Sequence, residues 1–225
     1  MAATINNTLV KIQTVTVGSG GAASIDFTSI PQTYTDLVLK ISARTSRSDY
    51  YTSFTNIRFN SSTSGYSYKN LVSQTTNSPI SQNSSSMGHG YLGYTNQTNN
   101  NSSVFSNLEV CILNYASSNY KSYTTDSIQA ANDTTYNNMG FFVGLWSNTS
   151  AITSISLTAG AATVSDYNFL QNTTATLYGV TATSNTTKAS GGIIYQDATY
   201  MYHVFPYTST FTPSTSLTCD YLVVA

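Results

Sequence analysis

Asp36-Leu37-Val38-Leu39-Lys40-Ile41-Ser42-Ala43-Arg44 decides how the rest of the chain is read. Leu37, Leu39, Ile41 and Ala43 fall on one side of an extended backbone, and Val38, Lys40, Ser42 and Arg44 on the other. That period of two is what a half-buried strand requires. The pattern recurs at short intervals. Ile57 and Phe59 alternate with Asn56, Arg58 and Asn60, and Val104, Leu108, Val110 and Ile112 share one face of a longer strand. Met139, Phe141, Val143 and Leu145 form another face, with Phe142 and Trp146 opposite. Residues 9–17 and 23–27, the pair Ile155 and Leu157, and Ala175 and Leu177 backed by Tyr178 and Val180 add further strands. No segment carries a period of 3.6. Many short strands separated by Ser, Asn, Gly and Asp mean an all-β fold, a sandwich or a barrel, and the expectation for residues 1–181 is the first, an antiparallel β-sandwich of jelly-roll-like type. Linker composition around Thr181-Ala182-Thr183-Ser184-Asn185-Thr186-Thr187 then separates a small β module at 188–225, with strands expected at 193–195, 200–205 and 217–224.

Composition narrows the function. The 225 residues include 34 Ser, 36 Thr and 21 Asn, while only 8% are charged and the net charge is -1. An ordinary soluble domain is about 25% charged. Eight Lys and Arg along the whole chain are too few to neutralise a phosphate backbone, so no nucleic-acid partner is expected. Glu109 is the sole glutamate, which excludes a coiled coil. Hydrophobic residues at 40% and aromatic residues at 12% supply a core and argue against disorder. No run approaches the roughly 18 apolar residues of a membrane span. The first residues lack the basic-then-apolar pattern of a secretory signal, and no membrane insertion is expected. Cys111 and Cys219 each sit in an alternating apolar run and read as two reduced thiols on strands.

Residues 70–108 carry no Asp, Glu, Lys or Arg. Their centre, 74–103, is mostly Ser, Asn, Thr, Gly and Gln, and reads as a long exposed excursion holding a short hairpin. Tyrosine among Ser, Gly and Asn offers rigid contact area with a polar tip. His89, Tyr91 and Tyr94 are therefore candidates for a surface-recognition loop, and Tyr50, Tyr51, Tyr66 and Tyr68 for aromatic contacts. Tyrosines that merely cover sheet faces or pack between subunits explain any single one of them equally well.

Signals for catalysis are absent. The nine acids, Asp26, Asp36, Asp49, Glu109, Asp126, Asp133, Asp166, Asp197 and Asp220, form no paired motif, although a distant pair can meet in the fold. The two histidines, His89 and His203, lie in no triad, zinc or phosphate-loop pattern. No catalytic residue, metal ligand or cofactor is assigned, and the chain is expected not to be an enzyme.

Ile30-Pro31-Gln32-Thr33-Tyr34-Thr35-Asp36, continuing through Arg44, resembles a segment of virion structural and tail-fibre-like proteins of tailed bacteriophages. Ile112-Leu113-Asn114-Tyr115-Ala116 followed by Lys121, Gly144-Leu145-Trp146-Ser147-Asn148-Thr149-Ser150 with its continuation to Leu157, and Thr174-Ala175-Thr176-Leu177-Tyr178-Gly179-Val180 extend the resemblance in order. Tyr202-His203-Val204-Phe205, Phe211-Thr212 and Asp220-Tyr221-Leu222-Val223-Val224-Ala225 resemble the entry to glycine-rich fibre and adhesin segments. Ser209 and Thr210 stand where that module usually has a glycine. The resemblance implies a fibre or spike subunit on the virion surface, a homotrimer touching other tail or capsid proteins, with host-surface glycan as a further partner. It implies no catalytic residues. A capsid decoration or cement protein is the alternative. A carbohydrate-binding module and a glycan depolymerase are further readings, separated from the first two by saturable glycan binding and by turnover of host polysaccharide.

Overall fold

The computed structural model describes residues 7–50, 53–73, 79–131, 137–160, 167–182, 189–196, 200–214 and 216–223. The alternating runs become β1 (Asn7–Thr16), β2 (Ser24–Phe27), β3 (Asp36–Thr45), β4 (Ser53–Phe59), β5 (Tyr66–Ser73), β6 (Pro79–Met87), β7 (Gly90–Gln97), β8 (Ser106–Ile112), β9 (Lys121–Gln129), β10 (Asn138–Trp146), β11 (Ile155–Gly160) and β12 (Thr174–Ala182). These strands make one unit, Asn7–Ala182. Its larger sheet runs β1-β12-β3-β8-β9-β10-β5-β6, antiparallel throughout. The smaller runs β2-β11-β4-β7. With the β9–β10 pair set aside, β2-β11-β4-β7 facing β3-β8-β5-β6 is the strand interleaving of a jelly roll. The chain is therefore an all-β, sandwich-like protein, as its alternation predicts. A short parallel pairing of Arg44 and Thr45 with Asn96 and Gln97 stitches the two sheets at one corner.

The core lies between the sheets. Leu37, Leu39 and Ile41 of β3 point into it, as do Leu108, Val110 and Ile112 of β8, meeting Phe27, Ile57, Phe59 and Leu157 of the smaller sheet. Burying each such side chain contributes about 1.5–3 kcal/mol. Trp146 stacks on Tyr66 at 6.2 Å between ring centroids and lies 5.6 Å from Phe59. Tyr123 sits in a slot that two glycines leave open. A Cβ on Gly90 would stand 2.0 Å from the Tyr123 hydroxyl, and one on Gly144 2.0 Å from its ring.

The expected excursion at 74–103 is corrected by the structure. The hairpin expected within it is not formed among the described residues: β6 pairs back onto β5, which precedes the run, and β7 crosses into the smaller sheet, buried along its whole length. Several of its polar groups are paired from inside, although Asn96 Oδ1 and Gln97 Oε1 are buried without a partner among the described residues. The Thr55 and Thr95 hydroxyls bond at 2.7 Å, the Asn96 amide N–H donates to Ser106 Oγ at 2.8 Å, and Asn96 Nδ2 donates to the Ala130 carbonyl at 3.0 Å. Uncharged polar side chains are buried cheaply when paired, so a run that reads as loop makes an interior strand.

The C-terminal described residues belong to a separate unit. In it β13 (Ala189–Ser190) pairs with β16 (Thr212–Pro213), and β14 (Ile193–Gln196) with β15 (Met201–Val204). His203 lies 5.0 Å from Phe211, and its Nδ1 sits 2.7 Å from the Gly191 carbonyl. The strand expected at 217–224 is not formed over residues 217–223. Among the described residues no strand pairs with that stretch, and an unpaired extended run has no ladder to hold it. Cys219 is consequently exposed outside any strand, whereas Cys111 is a free, half-buried thiol on β8.

Candidate interaction surface on the large sheet

The expected recognition tyrosines are mostly interior. Tyr91 and Tyr94 are only 3% and 2% exposed, so they cannot form a surface loop. With Val72 and Phe142 they make a second core cluster, against which Phe54 and Tyr68 pack. Tyr68 meets Tyr91 edge-on at 4.7 Å. Tyr66 is also buried, and its hydroxyl accepts the Phe59 amide N–H at 2.7 Å. Burial pushes the Tyr66 phenol up to about 12, and raises Tyr91 and Tyr123 further. His89 is half-buried against Tyr91 at 5.4 Å, and burial together with the Arg58 charge lowers its pKa. Tyr50 alone is both exposed and described. Its ring lies 4.9 Å from the Arg47 guanidinium, which pairs with Asp49 at 3.0 Å. The Tyr167 hydroxyl also donates to Asp49, and these contacts hold that carboxyl below its usual range. Tyr51 lies outside the described residues.

What the structure exposes instead is the outward face of the large sheet. Antiparallel register places Thr14, Thr176, Lys40, Glu109, Asp126, Phe141, Leu71 and Ser81 in one cross-strand row. All point outward, because each strand turns its alternate residues into the core. The row changes character along its length. Lys40 Nζ bonds Glu109 Oε2 at 3.1 Å. Asp126 stands directly opposite Glu109, a like-charge juxtaposition that destabilises a sheet unless compensated. Beyond Asp126 the face turns apolar. Met139, Phe141 and Val143 of β10, Leu71 of β5 and Ile128 of β9 are all exposed, Met139 at 63% and Leu71 at 58%. Met139 faces Ile128, and Phe141 faces Leu71, so the five form one continuous ridge. Lys69 borders the ridge on the far side, opposite Val143.

Beside the ridge a shallow concavity of about 530 Å³ opens over β12, β3, β8 and β9. Thr174, Thr176, Ser42 and Asn107 edge it, with Lys40, Glu109 and Asp126. Hydroxyls, an amide and carboxylates there can take up hydrogen bonds from a neighbour. Among the described residues no three His, Cys, Asp or Glu side chains gather in metal-binding geometry. Sequence reading left open whether distant acids meet, and Glu109 and Asp126 do. The ridge was legible as alternation in 139–145, but alternation does not say which of two apolar faces turns inward.

A buried cation, Lys121, serves structure. Lys121 opens β9 with its side chain enclosed, and its ammonium donates to the Ser117 carbonyl at 2.7 Å and to the Asn119 carbonyl. It closes the 113–120 turn, and burial lowers its pKa.

No family model, curated protein or solved structure matches the chain. The class is therefore set by topology, a jelly-roll-like sandwich.

Proposed function

We propose that this chain is a structural subunit of a tailed-phage virion, a fibre or spike component exposed on the particle and engaged in host attachment, assembled as a homotrimer. The observation that carries this is the C-terminal unit. Among its described residues Ala189 is the one buried hydrophobic side chain, while Tyr221 and Leu222 are 89% and 87% exposed and Ile193, Tyr195, Tyr200 and Tyr207 also lie open. A segment this short cannot build a core alone. Packing against copies of itself supplies one. The low charge of the chain supports the same reading, since little repulsion keeps copies apart. The phage-like runs at 30–44, 112–121, 144–157 and 174–180 point to the particle.

Light scattering on the full chain tests the assembly. A species of three times 24.2 kDa supports it, and a monomer at micromolar concentration overturns it. Antibody labelling of intact particles tests the position. Label on the tail or vertices supports a fibre or spike, whereas label over the head lattice favours the decoration reading, for which the flat apolar ridge is the supporting feature.

A further inference from the structure

We infer that the outward face of β9, β10 and β5 is a docking surface for a second copy of this chain, joined about a two-fold axis running along β10. This goes beyond the trimer proposed above and does not depend on it.

The argument begins with charge. Only 8% of residues are charged, yet this face carries Lys40, Glu109, Asp126 and Lys69. Lys40 and Glu109 satisfy each other. Among the described residues neither Asp126 nor Lys69 has an ion-pair partner. The two lie on opposite flanks of the ridge, Asp126 on β9 and Lys69 on β5, with β10 between them. In register they are offset by one residue pair, since Lys69 faces Val143, Val143 faces Thr124, and Asp126 lies two residues beyond Thr124.

A two-fold axis along β10 exchanges the flanks. It lays Met139, Phe141 and Val143 on the same residues of the second copy, and brings β5 of one copy over β9 of the other. Each Lys69 then lies above Thr124 of the second copy, one residue pair along the strand from its Asp126, and a lysine side chain spans that offset at the roughly 10 Å spacing of packed sheets. The contact occurs twice by symmetry. It also relieves the Glu109–Asp126 repulsion that one copy leaves standing. An axis perpendicular to the strands would set acid against acid, so the charge pattern selects one arrangement.

The test is a charge swap in the full chain, read by sedimentation equilibrium at low and moderate salt. Lys69→Glu and Asp126→Lys each weaken self-association at least about tenfold. The double variant K69E/D126K restores it, because the swapped charges meet again across the axis. Phe141→Asp abolishes this contact while leaving the circular dichroism unchanged, and its melting matches that of the parent at concentrations too low for association. Single reversals without effect, or a double variant no better than the singles, overturn the inference. So does saturable binding of host glycan or of another virion protein that requires Phe141 while self-association does not. A trimer that persists in Phe141→Asp shows that the C-terminal contact stands apart from this one, and a two-fold contact without a trimer shows the reverse.

Discussion

β10 carries apolar residues on both faces, and the two faces have opposite fates. Phe142 and Trp146 are enclosed by both sheets, whereas Met139, Phe141 and Val143 stand in solvent. Hydrophobicity along the strand is similar on either side. The difference lies in what the smaller sheet covers. Its strands, β2, β11, β4 and β7, close over one face of the large sheet and leave the other open. The inner face therefore holds the fold, and the outer face is available for association.

Changes on the inner face should break the fold. Trp146→Ala removes a ring stacked on Tyr66 and packed against Phe59, and should cost about 3–5 kcal/mol in urea unfolding. Alkaline titration probes the same face. Burial raises Tyr66 to about 12, with Tyr91 and Tyr123 higher, while the unfolded phenols ionise near the usual value of about 10. A raised folded pKa contributes stability that is complete below the unfolded value and is lost as pH rises through the folded one. Stability should therefore fall above about pH 10, by on the order of 3 kcal/mol for Tyr66 alone by pH 12. Lys121, lowered by burial, works in the opposite direction, but as one group against three. Melting curves with absorbance of tyrosinate would show ionisation and unfolding together.

Smaller effects sharpen the contrast. Gly144→Ala drives a methyl into Tyr123 and should cost roughly 1–3 kcal/mol, where an outward change at the adjacent Val143 should be tolerated. His89, with its lowered pKa, favours folding above its unfolded value of about 6.5 and loses that contribution as pH falls through the folded pKa. The wild type should thus lose more melting temperature than His89→Gln between pH 7.5 and 5. Least of all, at concentrations too low for the sheet-face contact to form, Phe141→Ser should leave unfolding within about 0.5 kcal/mol of the parent, since its ring is exposed in one copy.

The recognition residues read from sequence fared differently from the strands, and the reason is local. In residues 36–44 a strict period of two and a mixture of apolar and charged positions identify both the strand and its inner side. In 90–97, Gly, Tyr, Thr, Asn and Gln carry no charge and no clear period, so an interior strand looks like a loop. Its burial depends on partners distant in sequence, with Ser106, Ala130 and Thr55 supplying the hydrogen bonds. Glu109 and Asp126 are far from Lys40 along the chain and become neighbours through register alone.

The amino-acid sequence by itself determined that this is a low-charge, all-β protein with short antiparallel strands, because alternation and turn residues act over a few positions. Only the tertiary structure decided which apolar face of β10 is core, that Tyr91 and Tyr94 are interior, and that four charges and a hydrophobic ridge share one outward surface. Those outcomes depend on which sheet covers which, and coverage is settled by contacts between strands that no local pattern encodes.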